Sequence, residues 1–193
     1  MNDKQTLILD AAEDLFALHG FQESSTRAIA TQAGVNPAML SYYFGSKEQL
    51  LEMVLERGIA RFEKVNKKAK LNHLSALQKL DAIMDQHIYL IKNHESFFRL
   101  LLHERFFPSS TGSAVAINFF LEKKYQLIKA IMTEAIAAQE MRLVDVELTS
   151  AILLGVFYNW AVLPKEFVIH SLGPPDVRIA KFYKSYLDEL KIK

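Results

Sequence analysis

The chain has 193 residues; half are hydrophobic, 23 Lys and Arg balance 22 Asp and Glu, and there is no cysteine. That length can bury a sizeable core, and the missing cysteine excludes a disulfide framework, a thiolate nucleophile and a Cys-based zinc site. The longest near-apolar run, residues 151–163, contains Asn159 and suits a buried helix better than a membrane span. Asp10, Glu13 and Asp14 interrupt the apolar residues that a secretory signal would need. The expectation is a soluble cytoplasmic protein with no membrane partner.

No stretch shows sustained period-2 alternation, so the chain reads as all-α. Residues 6–19 form an amphipathic helix with Ile8, Ala12, Leu15 and Phe16 inward, ended by Gly20. Residues 26–33 follow, with Ser25 or Thr26 as the cap and Gly34 where a left-handed residue ends a helix. Asn36 can cap the next helix, 38–44, with Pro37 at its first position and Leu40 and Phe44 buried. Two short helices joined by this turn make a helix-turn-helix, whose second helix can enter a major groove.

Ser46 and Gln49 predict a capping box opening a long helix to about residue 70. Residues 75–93 carry Leu77, Leu80, Met84, Ile88 and Ile91 at helical spacing. An apolar helix, 94–107, precedes the loop 108–112. Helices over 113–140, over 145–170 with a break at Pro164, and over 176–192 complete the chain. The predicted division is a three-helix DNA-binding domain, 1–45, joined by the long helix to an all-helical ligand-binding and dimerisation domain, 46–193.

The first 55 residues resemble the tetracycline-repressor-like (TetR) family of bacterial transcription regulators. The matching residues are Ile8, Ala11, Ala12, Leu15, Phe16 and Gly20-Phe21, then Thr26-Arg27, Ile29-Ala30 and Ala33-Gly34-Val35. Leu40, Tyr42-Tyr43-Phe44 and Lys47-Glu48-Gln49-Leu50-Leu51 complete the pattern. The resemblance implies a phosphate contact from Thr26 and a phosphate or guanine contact from Arg27. It makes Pro37, Ala38 and Met39 the leading edge of the recognition helix. Tyr42 and Tyr43 would meet phosphate and thymine methyls, and Lys47 would clamp a phosphate. Ser41 departs from the pattern, standing where many relatives carry an aromatic. Together with the Asn36 cap, the expected DNA-facing set is Thr26, Arg27, Asn36, Pro37, Ala38, Met39, Ser41, Tyr42, Tyr43 and Lys47.

The charge pattern is unusual for such a role. Within 1–50, Lys4, Arg27 and Lys47 face Asp3, Asp10, Glu13, Asp14, Glu23 and Glu48, a net −3 rather than a basic stripe. Arg57, Arg61, Lys64, Lys67, Lys68 and Lys70 follow, but Lys64 lies roughly 27 Å along the helix from Ser46 and reads as part of a solvated face.

The body is rich in aromatic residues. Phe97, Phe98, Phe106, Phe107, Phe119, Phe120, Phe157, Tyr158 and Trp160 can line a cavity, with His87, Arg99, His103 and Asn159 as polar anchors. The expected effector-binding set is His87, Arg99, His103, Phe106, Phe107, Phe120, Phe157 and Trp160, and the expected effector is small and apolar or amphipathic. Leu148, Ile152, Val156, Ile179, Phe182, Tyr186 and Leu190 form apolar stripes on the last two helices, predicting a homodimer.

The histidines lack the spacing of a metal site, and no catalytic fingerprint appears. The sequence therefore predicts no enzyme, cofactor or metal, but a regulator released from a palindromic double-stranded DNA operator by its effector. A helical protein-interaction module is the alternative, favoured by the acidic first 50 residues. A carrier of acyl ligands is a third, suggested by the apolar body.

Overall fold

The computed structural model describes residues 2–68, 71–162 and 175–192. Among them are nine α-helices: α1 Asp3–Glu23, α2 Thr26–Gln32, α3 Ala38–Phe44, α4 Lys47–Lys68, α5 Ala76–Asn93, α6 Glu95–Phe106, α7 Thr111–Ala137, α8 Val146–Val162 and α9 Pro175–Leu190.

Helix ends differ from the sequence expectation where a cap was not legible. Helix α1 begins at Asp3 because Asn2 and Gln5 exchange capping hydrogen bonds, and it resumes to Glu23 beyond a non-helical Gly20 at φ 80°. Helix α7 begins early because Ser110 and Ser113 bond reciprocally, and it closes before Gln139 at φ 57°. The expected capping box at Ser46 with Gln49 is formed, and a second box, Ser75 with Gln78, opens α5. Asp145 caps α8 through Leu148 N–H at 2.9 Å. The break expected at Pro164 and the helix end at His170 lie outside the described residues.

The chain forms two compact units. The first comprises the residues up to Arg61 with Glu95–Phe120. Its core holds Ile8, Phe16, Ile29, Leu40, Phe44, Leu50, Phe97 and Phe98, with Leu15 only half-buried. Helix α1 packs along α6, which is why α6 belongs with the DNA-binding helices. Helix α4 meets α6 at Gly58, where a Cβ would stand 1.9 Å from the Phe97 ring. Glu13, 6% exposed, is ion-paired with both Arg57 and Arg61 of α4, and Arg57 also holds Asp10 at 2.7 Å. The buried Glu104 carboxylate accepts the Ser109 N–H, the Ser109 hydroxyl and the Ser113 hydroxyl, fixing the 107–110 turn.

The second unit comprises Phe62–His94 and the residues from Leu121 onward. Helix α5 packs on α9 and α8. The Tyr183 hydroxyl donates to the Leu153 carbonyl at 2.5 Å, joining α9 to α8. Glu140 accepts the Leu77 N–H at 3.0 Å and helps close the start of α5. On α8 and α9, Leu148, Ile152 and Phe182 are exposed, and Tyr186 stacks on Phe182. Leu190, placed by its spacing on the dimer stripe, is instead buried within its own unit. It lies on the face shared with Tyr183 and Leu187, which a stripe drawn at slightly irregular spacing does not separate.

Candidate DNA-binding interface

The turn between α2 and α3 is built entirely from local chemistry. Ser25 Oγ accepts the Ala28 N–H at 3.1 Å and starts α2. At its end, Val35 N–H reaches the Ala30 carbonyl and Gly34 N–H the Thr31 carbonyl, the two bonds of a Schellman motif. Gly34 has φ 65°, the left-handed backbone this closure requires. Asn36 Oδ1 then accepts the Ala38 N–H at 2.9 Å, and Pro37 already has helical angles. The chain reverses in a few residues through these local bonds.

That turn decides which face of α3 is free. Leu40 and Phe44 are buried, while Asn36, Pro37, Ala38, Ser41 and Tyr42 are exposed and Met39 and Tyr43 are half-buried. Tyr42 is 81% exposed and meets Tyr43 edge-on at 5.0 Å. Tyr43 is held in turn by Asn2 Nδ2, which donates to its hydroxyl at 3.3 Å. An aromatic side chain so exposed leaves apolar area in water, a cost that contact with a base or sugar would remove. Thr26 and Arg27 are exposed on the first turn of α2.

Lys47 is more tightly held than a solvent-facing clamp. Its Nζ donates to the Phe21 carbonyl at 2.9 Å and the Gln22 carbonyl at 3.3 Å, and lies 4.3 Å from the centre of the Phe21 ring. It thereby caps the end of α1 from the start of α4, where a cation also suits the helix dipole.

The acidic balance of 1–50 is partly resolved by α4. Asp10 and Glu13 turn toward Arg57 and Arg61, so two of the six acids are compensated. Glu48 sits in the first turn of α4, where a backbone N–H and the Ser46 hydroxyl hold its carboxyl below the usual range. Sequence reasoning took the arginines for a solvated face; the pairing needs α1 against α4, which helical spacing alone does not give.

The expected effector-binding residues are distributed over both units. In the first, Arg99 is paired with Glu95 at 2.6 Å, His103 lies beside Gly20, Phe106 and Phe107 are 71% and 72% exposed, and Phe120 is buried. In the second, His87 is buried with Nδ1 2.8 Å from the Ile83 carbonyl, and burial lowers its pKa to about 4. The side chains of Phe157, Asn159 and Trp160 lie outside the described residues. Burial raises the Tyr158 and Tyr183 hydroxyl pKa values well above the usual tyrosine range. One buried group escaped sequence reasoning: Lys124 of α7, 4% exposed. Its signal was present, because it falls at helical spacing among Ile117, Phe120, Ile128 and Ile131.

A Schellman-closed helix-turn-helix on an all-helical body defines a DNA-binding transcriptional regulator rather than an enzyme. The family model of bacterial regulatory proteins, tetR family, matches residues 8–54. Residues 8–54 thus carry the DNA-binding sequence pattern of that family. The chain is 26% identical over 154 residues to the fatty acid metabolism regulator protein of Bacillus subtilis (strain 168), covering 79% of this chain and 78% of that one. A bacterial regulatory protein in the tetR family from Rhodococcus RHA1 has the same fold, at TM-score 0.84, 17% identity and full coverage of both chains. So does AibR in complex with isovaleryl coenzyme A and operator DNA, at TM-score 0.80 and 21% identity over 98% of both chains. Regulators of this type bind operator DNA and small-molecule effectors. No helix among the described residues is long and apolar enough to cross a membrane.

Proposed function

We propose that this protein is a cytoplasmic repressor that binds a palindromic operator as a homodimer and is released by a small apolar or amphipathic effector. The observation carrying the DNA reading is the free face of α3, with Tyr42 projecting from it between the exposed Ser41 and the pinned Tyr43. Pro37, Ala38 and Met39 lead the helix into the major groove, where they offer methyl contacts and little hydrogen-bonded readout. Ser41 is short, so sequence selection rests on thymine methyls and DNA shape. Thr26, Arg27 and Tyr43 hold phosphates, and Lys47 reaches one only by leaving the carbonyls of Phe21 and Gln22.

Dimerisation is supported by the exposed apolar side chains of α8 and α9, since Leu148, Ile152 and Phe182 are each about half exposed or more. Paired across a twofold axis, two helices from each subunit make a four-helix bundle. The effector reading draws on the named relatives, one regulating fatty acid metabolism and one seen with an acyl coenzyme A. Effector binding favours a state whose two recognition helices no longer match successive grooves.

The test is fluorescence anisotropy with DNA from upstream of the protein's own gene, over a range of salt. The expected result is saturable binding that outcompetes random DNA, with a steep salt dependence. Equal affinity for random DNA would overturn the operator reading.

A further inference from the structure

Asn2 is an exposed residue whose backbone and side chain are both fully engaged. Its backbone N–H donates to the Gln5 side-chain oxygen at 3.0 Å, and its carbonyl accepts the Thr6 N–H at 3.2 Å. Its Oδ1 accepts the Gln5 N–H at 2.9 Å, which starts α1. Those bonds stay within about one helical turn. The remaining bond joins residues 41 apart, from Asn2 Nδ2 to the Tyr43 hydroxyl of α3 at 3.3 Å.

The cap decides which end of the Asn2 carboxamide faces Tyr43. The two ends of an asparagine amide are told apart by their partners. A backbone N–H can meet only the oxygen, so the NH2 group is the end turned toward α3. That group can only donate, and the Tyr43 oxygen therefore accepts. The tyrosine proton points away from Asn2, toward a second acceptor. A DNA phosphate oxygen is such an acceptor and has no proton of its own to offer. The Tyr43 ring is held as well, edge-on to Tyr42 at 5.0 Å and to the buried Phe44 at 6.3 Å. The rings place the hydroxyl, and the amide sets the direction in which it donates. A donor aimed before binding loses less freedom when it meets its partner.

We propose that Asn2 is a positioning residue for DNA binding, whose amide holds the Tyr43 hydroxyl as a proton donor to the DNA backbone. This rests on the phosphate contact of Tyr43 within the regulator reading above. It extends the DNA-binding apparatus to a residue outside 8–54, the segment that matches the family pattern.

The test is a double-mutant cycle between Asn2 and Tyr43→Phe in the full-length protein. Binding is read by fluorescence anisotropy on DNA from upstream of the protein's own gene and on random duplex. A phosphate contact does not read bases, so both duplexes report on it. Asn2→Ser and Asn2→Asp each keep a capping oxygen, and thermal melts should match the parent. Serine is too short to reach Tyr43 and should weaken binding about fivefold on both duplexes, the size of one ordinary hydrogen bond. Aspartate only accepts, so it draws the Tyr43 proton to itself and should weaken binding further. In the Tyr43→Phe protein, Asn2→Ser should cost less than about twofold. Asn2→Asp should there keep only the part of its loss that salt screens.

An Asn2→Ser loss that persists undiminished in the Tyr43→Phe protein would overturn the proposal. Parent-like binding by both Asn2 variants, or by Tyr43→Phe itself, would also overturn it. Should Asn2→Ser lower the melting temperature, Asn2→Asp carries the cycle, because a carboxylate caps a helix start at least as well. A parent protein that binds both duplexes equally refutes the operator reading, while the cycle on random DNA still decides on Asn2. A parent protein that binds neither removes both.

Discussion

Gly58→Ala tests how the DNA-binding helices are tied to α6. A Cβ there would stand 1.9, 2.1 and 2.6 Å from three atoms of the Phe97 ring. The nearest is about 1.5 Å short of ordinary contact. Phe97 is fully buried against Phe98, with the Arg61 guanidinium 5.6 Å from its ring centre, so the ring has nowhere to retreat. Overpacking of this kind costs about 3 kcal/mol, the upper part of the usual range. Alanine returns about 1 kcal/mol through its better helix propensity, leaving a net loss of about 2 kcal/mol. For a chain of this length the melting temperature should fall by about 4–8 °C.

The decisive assay is a double-mutant cycle with Phe97→Ala, read by chemical denaturation. Phe97→Ala alone should cost about 3–5 kcal/mol. In its background the added methyl meets no ring, so Gly58→Ala should become neutral or stabilising by about 1 kcal/mol. If Gly58→Ala destabilises equally in both backgrounds, or stabilises the parent protein, the close approach of α4 to α6 is not what this glycine serves.

Four further outcomes are expected. Tyr42→Ala should leave the melting temperature within about 2 °C, since surface changes cost little, yet weaken operator binding by about 1–3 kcal/mol in anisotropy titrations; unfolding of the first 45 residues would make Tyr42 structural instead. Lys47→Ala should both lower stability by about 1 kcal/mol through the lost carbonyl cap and reduce the log K against log salt slope by about one unit; an unchanged slope would confine Lys47 to capping. Ile152→Glu with Phe182→Glu should convert a dimer to a monomer in analytical ultracentrifugation; a parent protein already monomeric at micromolar concentration would remove the bundle proposal.

His87 gives the fourth outcome, a pH dependence. Its folded pKa of about 4 lies below the ordinary histidine value of 6.5, so the unfolded chain binds the extra proton first. Stability is therefore unaffected above pH 6.5 and falls as the pH drops from 6.5 toward 4, by an amount on the order of 2–3 kcal/mol. His87→Leu should flatten urea-derived stability across that window, and a slope unchanged by the substitution would place the titration elsewhere.

The sequence by itself determined what short-range chemistry controls. The capping box at Ser46, the left-handed Gly34 and the Asn36-Pro37 start of α3 use bonds within a few residues, so they were legible before any packing was known. The buried faces of α1, α3 and α5 followed from their period for the same reason. The ten DNA-facing candidates came from that local turn together with the family pattern, and their contacts with DNA remain a proposal. Tertiary structure decided the pairings that join residues far apart in the chain. Only the packing of α1 on α6 draws α6 into the first unit, and only α4 against α1 gives Glu13 its two arginines. Lys47 reads as a phosphate clamp in sequence but reaches carbonyls 25 and 26 residues upstream in the fold. Exposed Phe106 and Phe107 and buried Lys124 invert their residue types' usual places. Periodicity says which residues share a face of one helix; what covers that face depends on the other helices, whose approach is set by three-dimensional packing rather than by spacing along the chain.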